Sequence, residues 1–146
     1  MTLEEILRKI ARDLGSNRLQ NEEHTKLVAI LPILRALGWD DTHPGEFVPE
    51  HPVGNGRVDY ALFNPKNELP LVFIEAKRPG NAGEQGEDQL FAYAANQGVP
   101  FLILTDGDSW NFFYLSMAAG RPSDRKFCQL SVQRCDERNK DHRSAH

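Results

Sequence analysis

Two cysteines in 146 residues, Cys128 and Cys135, lack the paired spacings of a zinc site or a disulfide framework. No apolar run approaches the roughly 18 residues that would cross a bilayer, and the opening MTLEEILRKI carries two acids where a secretory leader would be basic. Basic residues number 17 against 21 acidic ones, a formal charge of −4, so the broad positive footprint of non-specific nucleic-acid binders is missing. No two of the five histidines have the spacing of a helical zinc pair. There is no Gly-x-Ser-x-Gly elbow and no Gly-x-x-x-x-Gly-Lys-Ser/Thr loop. These absences exclude serine-hydrolase chemistry and a nucleotide-driven motor within this chain. They point to a cytoplasmic protein with no membrane segment.

What is present is enough for one domain, 1–146, because 40% hydrophobic residues can fill a single core at this length. Thr2 and Glu5 have capping-box spacing ahead of a stripe of Leu3, Ile6, Leu7, Ile10 and Leu14, which predicts a helix ending at Gly15-Ser16-Asn17. A second helix is predicted over NEEHTKLVAILPILRALGW, capped by Asn21, with a stripe of Leu27, Ile30, Leu31, Leu34 and Leu37 and a kink at Pro32. FVPEHPV, RVDYALF and LVFIEAKR then read as three short antiparallel strands. A glycine-rich loop, GNAGEQG, leads to a helix in EDQLFAYAANQ that buries Leu90, Phe91 and Ala94. VPFLILT and SWNFFYL form a strand pair around Asp106-Gly107, and FCQLSV is one further strand. The polar tail from about 133 to 146 is expected to be disordered.

Chemistry concentrates in LVFIEAKRPG, an apolar strand that ends in an acid and an amine. Side chains alternate along a strand, so Glu75 and Lys77 share a face. Placing Asp59 opposite Glu75 is self-consistent: it sets Phe63 opposite Leu71 and leaves Asn64 to Pro70 as the loop. Directly opposed carboxylates at about 4–5 Å cost on the order of a kcal/mol or more when half-buried. A divalent cation removes that conflict. Two carboxylates, the Ala76 carbonyl and water suit Mg²⁺ or Mn²⁺, hard ions that prefer oxygen. Lys77 beside such an ion can orient water and offset charge on phosphorus, which outlines phosphodiester hydrolysis.

Asp59 in one strand followed by Glu75-Ala76-Lys77 ending the next resembles the PD-(D/E)XK nuclease superfamily. Gln89 and Tyr93 match its Gln-x-x-x-Tyr helix element. The ordered segments NEEHTKLVAILPILRALGWD, GRVDYALF, FIEAKR, QLFAYA and FLILTDG are similar to the N-terminal nuclease domain of type I restriction enzyme R (HsdR) subunits, over about residues 21–115. Val58-Asp59 stands where this branch commonly has Pro-Asp, and TDG stands for Thr-Asn-Gly. The resemblance implies an α/β fold with a restriction-endonuclease-like core, a mixed and mostly antiparallel sheet flanked by helices. It implies Mg²⁺ or Mn²⁺ at Asp59, Glu75 and Ala76, catalytic roles for Asp59, Glu75, Lys77 and Gln89, and an accessory role for Tyr93. An accessory acid from the second helix is also expected. The resemblance selects Glu22, the helical wheel selects Glu23, and Glu22 is taken because Pro32 disturbs the wheel.

The function this implies is metal-dependent endodeoxyribonuclease activity on DNA. Its expected partners are methyltransferase, specificity and motor subunits, or a second copy of the chain, which is either a truncated or a stand-alone relative. The acidic balance and the missing motor leave another reading open: a catalytically silent nuclease-fold module that binds nucleic acid or proteins in a defence or repair complex. Each residue also has a plainer reading. Glu-x-Lys can be an exposed ion pair, Gln89 and Tyr93 a surface pair, and Glu22 and Glu23 dipole-compensating acids. His43, Glu46 and His51 read as solvated loop groups, while Glu50 could approach Asp59 from the first strand.

Overall fold

The computed structural model describes residues 1–78, 87–115 and 122–144. Helix α1 (Leu3–Gly15) begins as its capping residues predict, with the Thr2 hydroxyl accepting from the Glu5 N–H at 3.2 Å. The second helical stretch is capped by Asn21, whose side chain accepts from the His24 N–H at 2.8 Å. It runs as α2 (Glu22–Thr25), a π-helical turn (Lys26–Ile30) and α3 (Leu31–Ala36). The irregularity expected at Pro32 therefore takes the form of a wide turn just before it, in which the Leu31 N–H donates to the Lys26 carbonyl. That turn changes the buried face. Thr25, Lys26, Ala29, Ile30, Ile33 and Leu34 are covered, whereas Leu27 and Leu37, expected on the apolar stripe, are exposed.

Six strands, β1 (Phe47–Val53), β2 (Gly56–Phe63), β3 (Pro70–Ala76), β4 (Phe101–Thr105), β5 (Ser109–Tyr114) and β6 (Lys126–Ser131), lie side by side in chain order. β3 and β4 run parallel, which requires a crossover, and α4 (Asp88–Asn96) supplies it; the other neighbours pair antiparallel. The α/β fold and the mixed, mostly antiparallel sheet expected from the sequence are thus present. Alternation along the strands divides the core into two layers. Tyr60, Leu62, Ile74 and Trp110 pack with Ile10, Ile30 and Leu34, while Ala61, Phe73, Leu102, Leu104 and Phe113 pack with Leu90, Phe91 and Ala94 of α4.

The expected β2–β3 register holds at Tyr60–Ile74, Ala61–Phe73 and Leu62–Val72, then slips, so that Phe63 pairs with Pro70 and not with Leu71. An extra residue in β3 accounts for the slip, and Pro70 is the first residue of the strand instead of the last of the loop. The polar tail also needs correction, because α5 (Val132–Ser144) occupies it. Its start is fastened from a distance: Asp108 accepts from the Ser131 hydroxyl at 3.1 Å and from the Gln133 N–H at 2.9 Å, and Val132 is buried against the core. The GNAGEQG stretch, expected to be a glycine-rich loop, lies outside the described residues.

Candidate active site

The β2–β3 ladder ends at Tyr60 and Ile74, one step before Asp59 and Glu75. β3 stays bonded to β4 through Ala76–Thr105 and on to Lys77, whose N–H donates to the Thr105 carbonyl at 2.8 Å. Side chains replace the ladder where it stops. The Ala76 N–H donates to Asp59 Oδ2 at 2.7 Å, and the Asp59 N–H donates to the Glu75 carboxyl. Asp59 and Glu75 are therefore brought together as the register requires.

The two carboxyls are hydrogen-bonded to each other, which takes one proton between them. Burial pushes the Glu75 carboxyl up, the facing Asp59 pushes it further, to about 9, and Lys77 pulls the other way. Burial also acts to raise Asp59, but hydrogen bonds with Glu75, the Ala76 N–H and Lys26 outweigh it and hold that carboxyl below its usual value. The shared proton therefore favours Glu75 and the charge favours Asp59.

That charge faces Lys26, whose Nζ lies 3.0 Å from Asp59 Oδ1, 2.5 Å from Glu23 Oε1 and 3.5 Å from Glu50 Oε1. Lys26 is buried, with 8% of its side chain exposed. Burial alone would release its proton; hydrogen bonds and charge from Glu23 and Asp59 overcome that and hold the proton more tightly than in free lysine. Sequence reasoning missed Lys26. A signal existed, since Lys26 shares the 3–4 spacing of Ala29, Ile30 and Ile33, an amine where apolar residues are expected. Glu50 does approach Asp59, as foreseen, and it does so from a left-handed backbone conformation (φ 51°) that is costly for a non-glycine residue. Through Lys26 the cluster includes Glu23, while Glu22 is exposed in the first turn of α2.

Lys77 pairs with Glu87, a buried acid at the start of α4. Glu87 was not foreseen either, because an acid beginning a helix reads as ordinary dipole compensation. Gln89 is exposed on α4, and the ring of Tyr93 lies over Gly54 in the β1–β2 turn, where an added methyl carbon would sit 2.2 Å from it. The ring of His51 packs against Phe63 and Phe73, and Glu46 accepts from the Asp40 N–H, so His43, Glu46, Glu50 and His51 do not form one cluster.

Asp59 and Glu75 fit a hard divalent cation. They are half-buried oxygen donors set side by side, the hard ligand type that such an ion prefers. Among the described residues no three histidine, cysteine or acidic side chains are set to ligate one ion together; Glu23 and Glu50 are engaged by Lys26. Water and backbone oxygen would complete the shell, as magnesium usually requires. Among the described residues no helix is long and apolar enough to cross a membrane.

Comparison with known proteins agrees with this fold. The chain is similar to a solved structure described as a fragment of an HsdR subunit of a type I restriction enzyme from Vibrio vulnificus YJ016, with a TM-score of 0.54 and 22% identity. The match covers 73% of this chain and 24% of that one, so this chain spans about a quarter of its length. At that identity the likeness is one of fold. No curated protein matches the sequence. The family described as Type I restriction enzyme R protein N terminus matches residues 46–120, a span that holds β1 to β5, α4, Asp59, Glu75 and Lys77. With more than half of the sequence matched, the chain belongs to the family of type I restriction enzyme R protein N-terminal domains.

Proposed function

We infer that the domain is a metal-dependent endodeoxyribonuclease of the type I restriction R-subunit kind, hydrolysing DNA phosphodiester bonds. The observation that carries this reading is the facing carboxyl pair Asp59 and Glu75 at the point where β2 and β3 part, with Lys77 two residues beyond Glu75 at the end of β3. Mg²⁺ or Mn²⁺ held by Asp59, Glu75 and the Ala76 carbonyl would polarise a phosphoryl oxygen and lower the pKa of bound water. The protein's own groups do the rest. Asp59 keeps its charge because three donors address it, so it is ready as a ligand at neutral pH. Glu75 must give up its proton for both carboxylates to act as ligands. Lys77 supplies a positive charge near Glu75 to orient water and offset charge on phosphorus, and Gln89, exposed on α4, steadies the phosphate. The whole R subunit's partners, methyltransferase, specificity and motor subunits, belong to this reading.

One observation favours the catalytically silent alternative: Lys77 is engaged by Glu87. A plasmid-nicking assay with Mg²⁺ or Mn²⁺ separates the two readings. Nicking by the parent protein that disappears in Lys77→Ala supports the nuclease. Nicking that survives both Lys77→Ala and Asp59→Ala contradicts these assignments.

A further inference from the structure

Lys26 is explained neither by the metal ligands nor by packing. A buried ammonium is expensive unless its surroundings neutralise it, and a methionine would fill the same space without that cost. Here three carboxylates from three separate elements meet it: Glu23 of α2, Glu50 of β1 and Asp59 of β2. Two backbone irregularities occur at the same place. The π-helical turn starts at Lys26, and Glu50 holds a left-handed conformation.

We propose that Lys26 is a positioning residue whose fixed charge competes with the divalent cation for Asp59 and thereby sets the metal affinity of the site. The proposal rests on the nuclease reading. Both Asp59 oxygens are already claimed, Oδ1 by Lys26 at 3.0 Å and Oδ2 by the Ala76 N–H at 2.7 Å. A cation arriving at Asp59 must share or displace one of these contacts, and it meets repulsion from an ammonium that Glu23 and Glu50 also hold close to the carboxylate. The same contacts fix the orientation of the Asp59 carboxylate. Lys26 thus weakens metal uptake while aligning the ligand that receives the metal.

The test is Mn²⁺ titration calorimetry on the parent protein, Lys26→Met, Lys26→Arg and Asp59→Asn, with plasmid nicking measured at saturating Mn²⁺. Lys26→Met is expected to bind Mn²⁺ about tenfold more tightly or better, yet to nick about tenfold more slowly. Lys26→Arg keeps the charge and should stay within about threefold of the parent affinity. A purely structural lysine would not give this opposed change, since its loss would weaken binding and turnover together. If Lys26→Met melts without metal, a rise in melting temperature with Mn²⁺ larger than the parent's supports the proposal, and no response overturns it. Unchanged or weaker Mn²⁺ binding by Lys26→Met, with parent uptake that is lost in Asp59→Asn, overturns the proposal and leaves the nuclease reading standing. Absence of uptake by every protein overturns both.

Discussion

Asp59 and Asp108 both reach from one element to fasten another, yet their surroundings differ in kind. Asp108 accepts from the Ser131 hydroxyl and the Gln133 N–H, neutral groups that α5 needs satisfied at its start. Asp59 is surrounded by charge and by a shared proton: Lys26, Glu75 and, beyond the lysine, Glu23 and Glu50. A carboxylate whose partners are all neutral donors is a fastener. One whose partners titrate or carry charge can change state when a cation or substrate arrives.

The comparison breaks most readily through activity. Asp59→Asn and Lys77→Ala should each lower Mn²⁺-dependent nicking about 1000-fold or more, whereas Asp108→Ala should leave it within a few-fold. Equal loss in all three variants, measured on folded protein, would erase the distinction.

Stability should show the reverse. Asp108→Ala removes the fastening of α5 and is expected to cost about 1–2 kcal/mol in urea denaturation, with Mn²⁺ uptake unchanged. An unaltered denaturation midpoint would mean that α5 is held by Val132 and its other contacts instead.

A smaller effect follows from pH. Glu75 binds its proton more tightly folded than unfolded, so it costs stability as pH rises from its ordinary 4.5 toward about 9. Asp59, held low, works in the opposite sense, and its contribution is present above its ordinary 3.8 and lost as pH falls. Glu75→Gln should therefore melt higher than the parent at pH 8, by roughly 1 kcal/mol, with the advantage shrinking toward pH 5. Saturating Mg²⁺ should narrow the gap at pH 8 by stabilising the parent. A melting difference that does not depend on pH would place the proton elsewhere.

The smallest change is expected at Arg35, which pairs with Asp41 at 3.0 and 2.7 Å on an open surface. Arg35→Gln should alter stability by less than about 1 kcal/mol and leave nicking unaffected, because solvent screens an exposed pair of the same charges that matter at Lys26 and Asp59.

Period-two alternation and strand-end chemistry made Asp59, Glu75 and the β2–β3 register legible, because one face of each strand is buried and a slip would reverse every residue. What stayed hidden depended on contacts distant in sequence. Lys26 meets Asp59 across 33 residues, and a π-helical turn that no wheel anticipates had rotated the helix toward it. α5 is held at its start by Asp108, 25 residues before Gln133, so a segment polar enough to pass for a tail is a helix. The slip at Phe63 arose where a proline opens the strand, the kind of local exception that a uniform register ignores.

The central claim, that Asp59 and Glu75 hold one divalent cation between β2 and β3, is tested most directly by anomalous diffraction from a Mn²⁺-soaked crystal. The account predicts a peak within coordination distance of both carboxylates, with Lys26 moved or its contact to Asp59 lengthened. A crystal that takes up Mn²⁺ elsewhere while Asp59 and Glu75 keep their shared proton would contradict it.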